Sequence, residues 1–419
     1  VQAGARVSQV IDALRSHGLT LPNLASIAEQ QMGGFTQVGA HGTGAKIAPV
    51  DHYVTSLKLV TPAKGTIELN EKDDGELFHL AKVGLGCLGI VSEVTMKCVK
   101  AHNLVEHTFV LTRSEAKSQL NRLLKRHKHL RYMWLPYTDF VVAVTNNPEG
   151  DPVVAQQSSV ENDASMSSEE KFQPLTDLLA ELTKNEKEPF TKESMHGMGF
   201  GELRDALLAI NPLNVEHVKR CNQAEAEFWK RNEGYQTKPS DQLLQFDCGG
   251  QQWVWEVCFP TGTYGINNGN DMEFMENLLA GIEEKHIAAH SPIEQRWTAS
   301  SSSLMSPAHG PPKGLFSWVG VIMYLPSEEE KQRRDITEKF KGEYCDIVRD
   351  IGHDVQSVSH WAKQEMPPTV EDQLVLKELM RLKYPVELFK SARKKYDPKN
   401  ILSNGLIDAV LGKPFDQNN

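Results

Sequence analysis

The sequence predicts an α+β fold, on three observations. Val7, Val10, Ile11 and Leu14 recur at helical spacing and mark an amphipathic helix closed by Gly18. Residues 54–62 and 65–69 read as a hairpin around Ala63-Lys64. After Ala101, strand-like runs at 105–111 and 139–145 flank a basic helix around 114–127. That texture is antiparallel in character and argues against a wound parallel sheet.

The other elements follow in order. Residues 77–83 read as a short helix and 90–99 as a β-branched strand. The stretch 146–198 is rich in Ser, Glu, Lys, Asn and Pro, so it is expected to bury little and to include a mobile loop. Strand patterns return at 246–259 and 317–325, separated by a long loop at 300–314 with a Ser run and Pro311-Pro312. From His360 the chain turns helical, is interrupted at Pro385, and ends a last helix at Asp397-Pro398.

Composition narrows the function classes. With 45 basic against 55 acidic residues the formal charge is −10, which excludes a nucleic-acid binder dependent on dense basic patches. The balance suits a basic protein partner, though solubility alone explains it equally. No run approaches the roughly 20 apolar residues of a membrane-spanning helix. Six cysteines (Cys87, Cys98, Cys221, Cys248, Cys258, Cys345) are scattered without CxxC spacing, so free thiols are expected, with no metal site and no disulfide framework. The sequence opens at Val1 inside an apolar run, with no targeting segment in view.

Two glycine motifs invite a ligand. Gly84-Leu-Gly86-Cys-Leu-Gly89 matches the dinucleotide fingerprint in letters. A helix precedes it and a strand follows, the reverse of the order that fingerprint requires, so the dinucleotide fold is rejected. Gly33-Gly34-Phe-Thr-Gln-Val-Gly39-Ala-His41-Gly42-Thr43-Gly44 is more informative. Its backbone is suited to lie against a flat or phosphorylated ligand, whereas alone it would be an ordinary glycine-rich turn.

Together with Gly-Leu-Gly-Cys-Leu-Gly89-Ile90-Val91 and His360-Trp-Ala-Lys363, this segment resembles the vanillyl-alcohol-oxidase-type (PCMH) FAD-binding fold. Pro292-Ile-Glu294-Gln-Arg296-Trp-Thr298, Phe246-Asp-Cys248-Gly-Gly-Gln-Gln-Trp253 and Ile401-Leu-Ser-Asn404 are similar to the aldonolactone oxidoreductases, in particular their plant-type L-galactono-1,4-lactone dehydrogenase branch. The resemblance implies the second subdomain of the FAD domain at 1–100, the N-terminal subdomain lying before this sequence. It further implies an α+β cap domain with an antiparallel sheet at 101–350, and C-terminal helices returning to the flavin at 351–419.

Individual residues gain meaning only from that resemblance. Glu294 and Arg296, two apart on a strand, share one face and by spacing alone make a surface ion pair. The resemblance places them in the substrate pocket, with Arg296 on lactone oxygens and Glu294 positioning or deprotonating a sugar hydroxyl. Lys363 would otherwise be a solvated lysine, and His360 a packed one beside Trp361. The resemblance sets both at the isoalloxazine, where a cation favours the charge of the reduced ring. Gly33, Gly34, Gly39, His41, Gly42, Thr43, Gly89, Ile90 and Val91 are the implied contacts of a non-covalent FAD. Ala25 stands where the lactone oxidases carry Gly and is implied as an oxygen gate. Cys248 is either a packing cysteine or a redox-sensitive thiol near the substrate.

The implied activity is oxidation of L-galactono-1,4-lactone to ascorbate, with cytochrome c as acceptor on the intermembrane-space side of the mitochondrial inner membrane. The same resemblance offers a second role, as an assembly factor bound to the membrane arm of complex I.

Overall fold

The computed structural model describes residues 1–157, 166–245, 249–367 and 369–413. Its largest unit is an antiparallel sheet of eight strands. In spatial order they are Val358–Ser359, Gln252–Thr263, Gly314–Tyr324, Ile293–Ala299, His129–Trp134, Phe140–Pro148, Asn103–Thr112 and Gly234–Pro239. Gly314–Tyr324 is buried at every position, as a strand covered on both faces must be. One face carries Trp255, Val257, Val319, Val321, Trp297, Tyr132, Trp134 and Ala143 against the helices Arg113–Arg126, Asn270–Glu284 and Cys345–Asp354. The opposite face carries the polar residues described below.

A second, three-stranded sheet runs Gly65–Asn70, Val54–Thr61, Ile90–Met96, again antiparallel. Its core is completed from the far end of the chain: Met380, Phe389, Ile407 and Val410 pack with Leu57, Phe78, Leu80 and Val83. Ala3 links the glycine segment to this sheet, its N–H donating to Ser92 O at 2.9 Å and its carbonyl accepting from Gly33 N at 2.8 Å. No helix among the described residues is long and apolar enough to cross a membrane.

The amphipathic helix at Val7–Arg15, the 54–69 hairpin and the helix Val386–Tyr396 form where expected. The short helix at 77–83 is instead Glu71–Ala81, because Asn70 caps it by accepting from Lys72 N and Asp73 N, with a break at Gly75. The Gly84–Gly89 motif does precede a strand and follow a helix.

The largest departure is in 146–198. Ser167 caps a helix at Ser168–Thr183 whose Leu175, Leu178 and Leu179 pack on Leu203, Leu207 and Phe228. Its apolar stripe was diluted by charged residues on the other face. The mobile loop expected there falls partly on residues 158–165, outside the described residues.

Candidate active site

Residues opposite each other in a sheet share a face, as do residues two apart along a strand. Cys258, Trp318, Arg296, Arg131 and Val144 form one row across the large sheet. Glu256, Gly320, Glu294 and Met133 form the row on one side of it. His129, Asn146, Glu106 and Gln236 form the row on the other. One face of one sheet thereby gathers three acids and two arginines.

Other segments close over that face. The edge strand Val358–Ser359 pairs with Val257 and Cys258, and His360 N continues the ladder to Glu256 O at 2.9 Å. His360 Nδ1 accepts from Ala362 N at 3.1 Å, turning the chain so that Lys363 Nζ reaches Glu256 Oε2 at 2.7 Å. From the glycine segment, His41 Nε2 meets the same carboxylate oxygen at 3.1 Å while its ring stacks on Trp318 at 3.7 Å. Trp318 Nε1 donates to Thr298 Oγ1 at 2.9 Å, fixing the indole in the sheet.

The glycine segment is tied to the same sheet by backbone. Gly44 N donates to Trp297 O at 2.7 Å, and Ala299 N to Ile47 O at 3.0 Å. His129 Nδ1 lies 2.9 Å from Thr43 O. Gly42 is required by contact: a Cβ there would fall 2.2 Å from Leu24 O and 2.3 Å from Asn23 Oδ1. Asn23 in turn donates to Ala48 O at 2.9 Å, so residues 23–25 are held flat against the glycine loop. A cavity opens here between Leu24, Gly42 and Thr43 on one side and Leu243 and Leu244 on the other, floored by Arg296, Arg131, Val144, Asn146 and Glu106.

Electrostatics follow from this crowding. Burial pushes the Glu256 carboxyl up, but Lys363, His41 and Arg296 outweigh it and hold it well below the usual carboxylate range. Glu294 behaves likewise: burial raises it, and Arg296 and Arg131 bring it below its ordinary value. Arg296 bonds Glu294 directly, and Arg131 lies 3.7 Å from it. Burial and the Lys363 cation push His360 well below the usual histidine value, so it is neutral at pH 7. His41, Glu256 and His360 also converge closely enough to suggest a metal shell, within 4.8 Å. The Lys363 ammonium already neutralises that carboxylate, and the arrangement is that of an ion-pair cluster.

The structure thus brings His41, Arg296, His360 and Lys363 around Glu256 and Glu294, with Gly42 and Thr43 on the cavity wall beside Arg296. Gly33 and Gly34 lie in the helix Met32–Gln37, and Gly39 packs near Pro307. Gly89 lies against Leu59 and Thr61 in the small sheet, where Ile90 is 62% exposed and Val91 half-buried. Ala25 is half-buried, packed against the apolar cluster of Leu21, Leu24 and Phe35. Cys248 lies outside the described residues; the other five cysteines are free thiols. Sequence reasoning missed Glu256, Trp318 and Arg131. For Glu256 a signal existed, an acid alone within the apolar run Trp255–Phe259.

Two features fit a flavin: the cationic groups of Arg296 and Lys363, and the Gly42-Thr43 backbone on the wall of the cavity that Arg296 floors. The comparisons agree. The D-arabinono-1,4-lactone oxidase family model matches residues 94–410, and the FAD binding domain model matches residues 1–69. L-galactono-1,4-lactone dehydrogenase, mitochondrial, of Arabidopsis thaliana is 48% identical over 98% of this chain and 68% of its own length. L-galactono-1,4-lactone dehydrogenase 1, mitochondrial, of Oryza sativa subsp. japonica is 46% identical over 98% and 70%. L-gulonolactone oxidase of Bos taurus is 26% identical over 98% and 80%. In fold, the chain is similar to cholesterol oxidase from B. sterolicum, with a TM-score of 0.69 at 15% identity, covering 98% of this chain and 80% of that one. Its cofactor is FAD, and the fold is that of the vanillyl-alcohol-oxidase type. The chain belongs to the FAD-dependent aldonolactone oxidoreductases and, within them, to the L-galactono-1,4-lactone dehydrogenase family.

Proposed function

We propose that this chain oxidises L-galactono-1,4-lactone to L-ascorbate and passes the electrons to cytochrome c on the intermembrane-space side of the mitochondrial inner membrane. The observation that supports it most is Arg296 and Arg131 on the cavity floor, with Glu294 ion-paired to both from the neighbouring row, which also carries Glu256, the partner of Lys363.

The Gly39–Gly44 segment and Lys363 would hold the FAD, which would supply a hydride acceptor for the carbon beside the lactone carbonyl. The protein's part is to hold that carbon and to receive the hydroxyl proton. Arg296 offers a planar donor fork that suits the lactone oxygens. In the free chain the fork lies on Glu294 and keeps it ionised. A carboxylate held below its ordinary pKa accepts hydrogen bonds well but takes up protons poorly. When the fork turns to substrate, Glu294 loses its nearest cation and its pKa moves up. It then takes the hydroxyl proton as the hydride departs, and the resulting ketone enolises to the enediol. Substrate binding thereby switches Glu294 from an orienting group to a base.

Cytochrome c as acceptor is supported by Ala25 in place of an oxidase's Gly and by the formal charge of −10, which attracts a basic partner. The location is supported by the mitochondrial names of the plant relatives. The test is anaerobic mixing of the flavin-loaded protein with the lactone, followed by addition of oxidised cytochrome c. Bleaching of the flavin bands and then cytochrome reduction are expected. A flavin that stays oxidised with galactonolactone would remove the substrate assignment.

A further inference from the structure

The cavity beside Arg296 continues past the reacting end into a polar recess that the oxidation does not use. Asn146 and Glu106 stand opposite each other on neighbouring strands and line the same cavity as Arg296 and Arg131. Glu106 is buried, and each carboxylate oxygen has a neutral amide partner: Asn146 Nδ2 at 3.0 Å and Gln236 Nε2 at 2.7 Å. Glu256 and Glu294, by contrast, are paired with cations. An ionised carboxylate has about four acceptor sites, so Glu106 retains capacity for donors beyond these two amides. Donors that enter the cavity are hydroxyl groups if the ligand is a sugar lactone.

Dimensions fit such a ligand. The strand of Glu106 lies three strand spacings, about 14 Å, from the strand of Arg296, and the long side chains of both residues line the cavity between them. An arginine fork gripping a lactone ring at one end leaves the ring substituent directed along the floor toward Asn146. We infer that Glu106, positioned by Asn146 and Gln236, binds the hydroxyls of the two-carbon side chain carried by the lactone ring. It is therefore the residue that selects lactones with a hydroxylated arm over bare ring lactones. This rests on the lactone-oxidising reading above and adds to it the part of the substrate that is recognised.

The test compares kcat/KM for two substrates of the flavin-loaded protein. One is galactono-1,4-lactone; the other is the four-carbon dihydroxylactone with the same ring hydroxyls and no side chain. In Glu106→Gln the ratio of the two values should fall about tenfold or more, through KM for the six-carbon lactone, as expected where a hydrogen bond to a substrate hydroxyl is lost. Asn146→Ser, which frees Glu106 from one amide, should lower the same ratio and serves if Glu106→Gln does not fold. Calorimetric titration of the anaerobically reduced protein, which cannot oxidise the lactone, should show the same loss of affinity without turnover. A ratio unchanged in both variants would overturn the inference while leaving the lactone reaction intact. A wild-type protein that oxidises neither lactone would overturn the parent reading and this one with it.

Discussion

Arg296 and Arg131 stand directly opposite each other on adjacent strands, with the Glu294 carboxylate between their guanidinium groups. Two like charges in register destabilise a sheet unless a counter-charge separates them. Glu294 is therefore structural to the free site as well as chemical in the loaded one. Arg296→Ala removes the fork on substrate and one of two cations on Glu294. The expected result is a large rise in KM, a loss of about 2–3 kcal/mol as for a hydrogen bond to a charged group. Arg131→Gln leaves the fork and should raise KM less. Steady-state kinetics of both variants check this; equal effects would show that Arg131 contacts substrate directly.

The Glu256–Lys363 pair predicts an asymmetry in stability. Glu256 is almost fully buried and answers Lys363 and His41 at once, whereas Lys363 retains 31% side-chain exposure. Lys363→Met leaves the buried Glu256 carboxylate without its nearest cation and should cost about 3–5 kcal/mol, the range for breaking a buried pair. Glu256→Gln should cost distinctly less, because water reaches the ammonium that it leaves behind. Denaturant midpoints of the two variants measure the difference, and the reverse order would mean that the cluster is better hydrated than its burial indicates.

The fold class was legible in the sequence because Val7–Leu14, the 54–69 hairpin and the 386–396 helix each carry unmixed periodicity. The two-residue spacing of Glu294 and Arg296 implied a shared face on a strand, and Ile293–Ala299 is that strand. The helix Ser168–Thr183 was not, since Lys, Glu and Asp on its outer face masked three buried leucines. What Glu256 pairs with was hidden for a different reason. Its partners lie 215 residues away at His41 and 107 away at Lys363, and only the strand order brings them together. Cap signals such as Asn70 were present in the letters but overlooked.

Acid should destabilise the protein through histidines that the fold buries in their neutral form. His290 is fully buried, its Nε2 donating to Pro212 O at 2.8 Å and its Nδ1 accepting from Tyr324 N at 3.0 Å. Burial pushes its pKa down to about 4, and that of His129 to about 3. Folded pKa values below the unfolded value of about 6.5 mean that the unfolded chain binds more protons as pH falls. The stability they contribute is complete above about pH 6.5 and is lost progressively from there down to the folded values. Thermal midpoints should thus drop between pH 6.5 and 4.5. His290→Gln, which keeps a donor and an acceptor but cannot titrate, should flatten that slope. An unchanged slope in the variant would exclude His290 from the acid response.

Ala25 predicts oxygen behaviour. It follows Leu24, whose carbonyl is pressed against Gly42 so closely that a methyl on Gly42 would displace it. The segment cannot retreat from the cavity wall, so the Ala25 methyl stays where the fold puts it, on the side of residues 23–25 that packs with Leu21 and Phe35. Removing that methyl opens room for a diatomic molecule without altering any charge at the site. Ala25→Gly in the flavin-loaded protein should therefore speed reoxidation by O2 by at least about tenfold, or ~1.4 kcal/mol in the barrier, with cytochrome c reduction largely retained. Gly42→Ala supplies the control, since it pushes residues 23–25 outward and should raise oxygen access at a cost in thermal stability. Stopped-flow reoxidation of the substrate-reduced protein in air-saturated buffer reads both. If Gly42→Ala is leaky and Ala25→Gly is not, oxygen enters past the displaced segment and the Ala25 methyl is only packing.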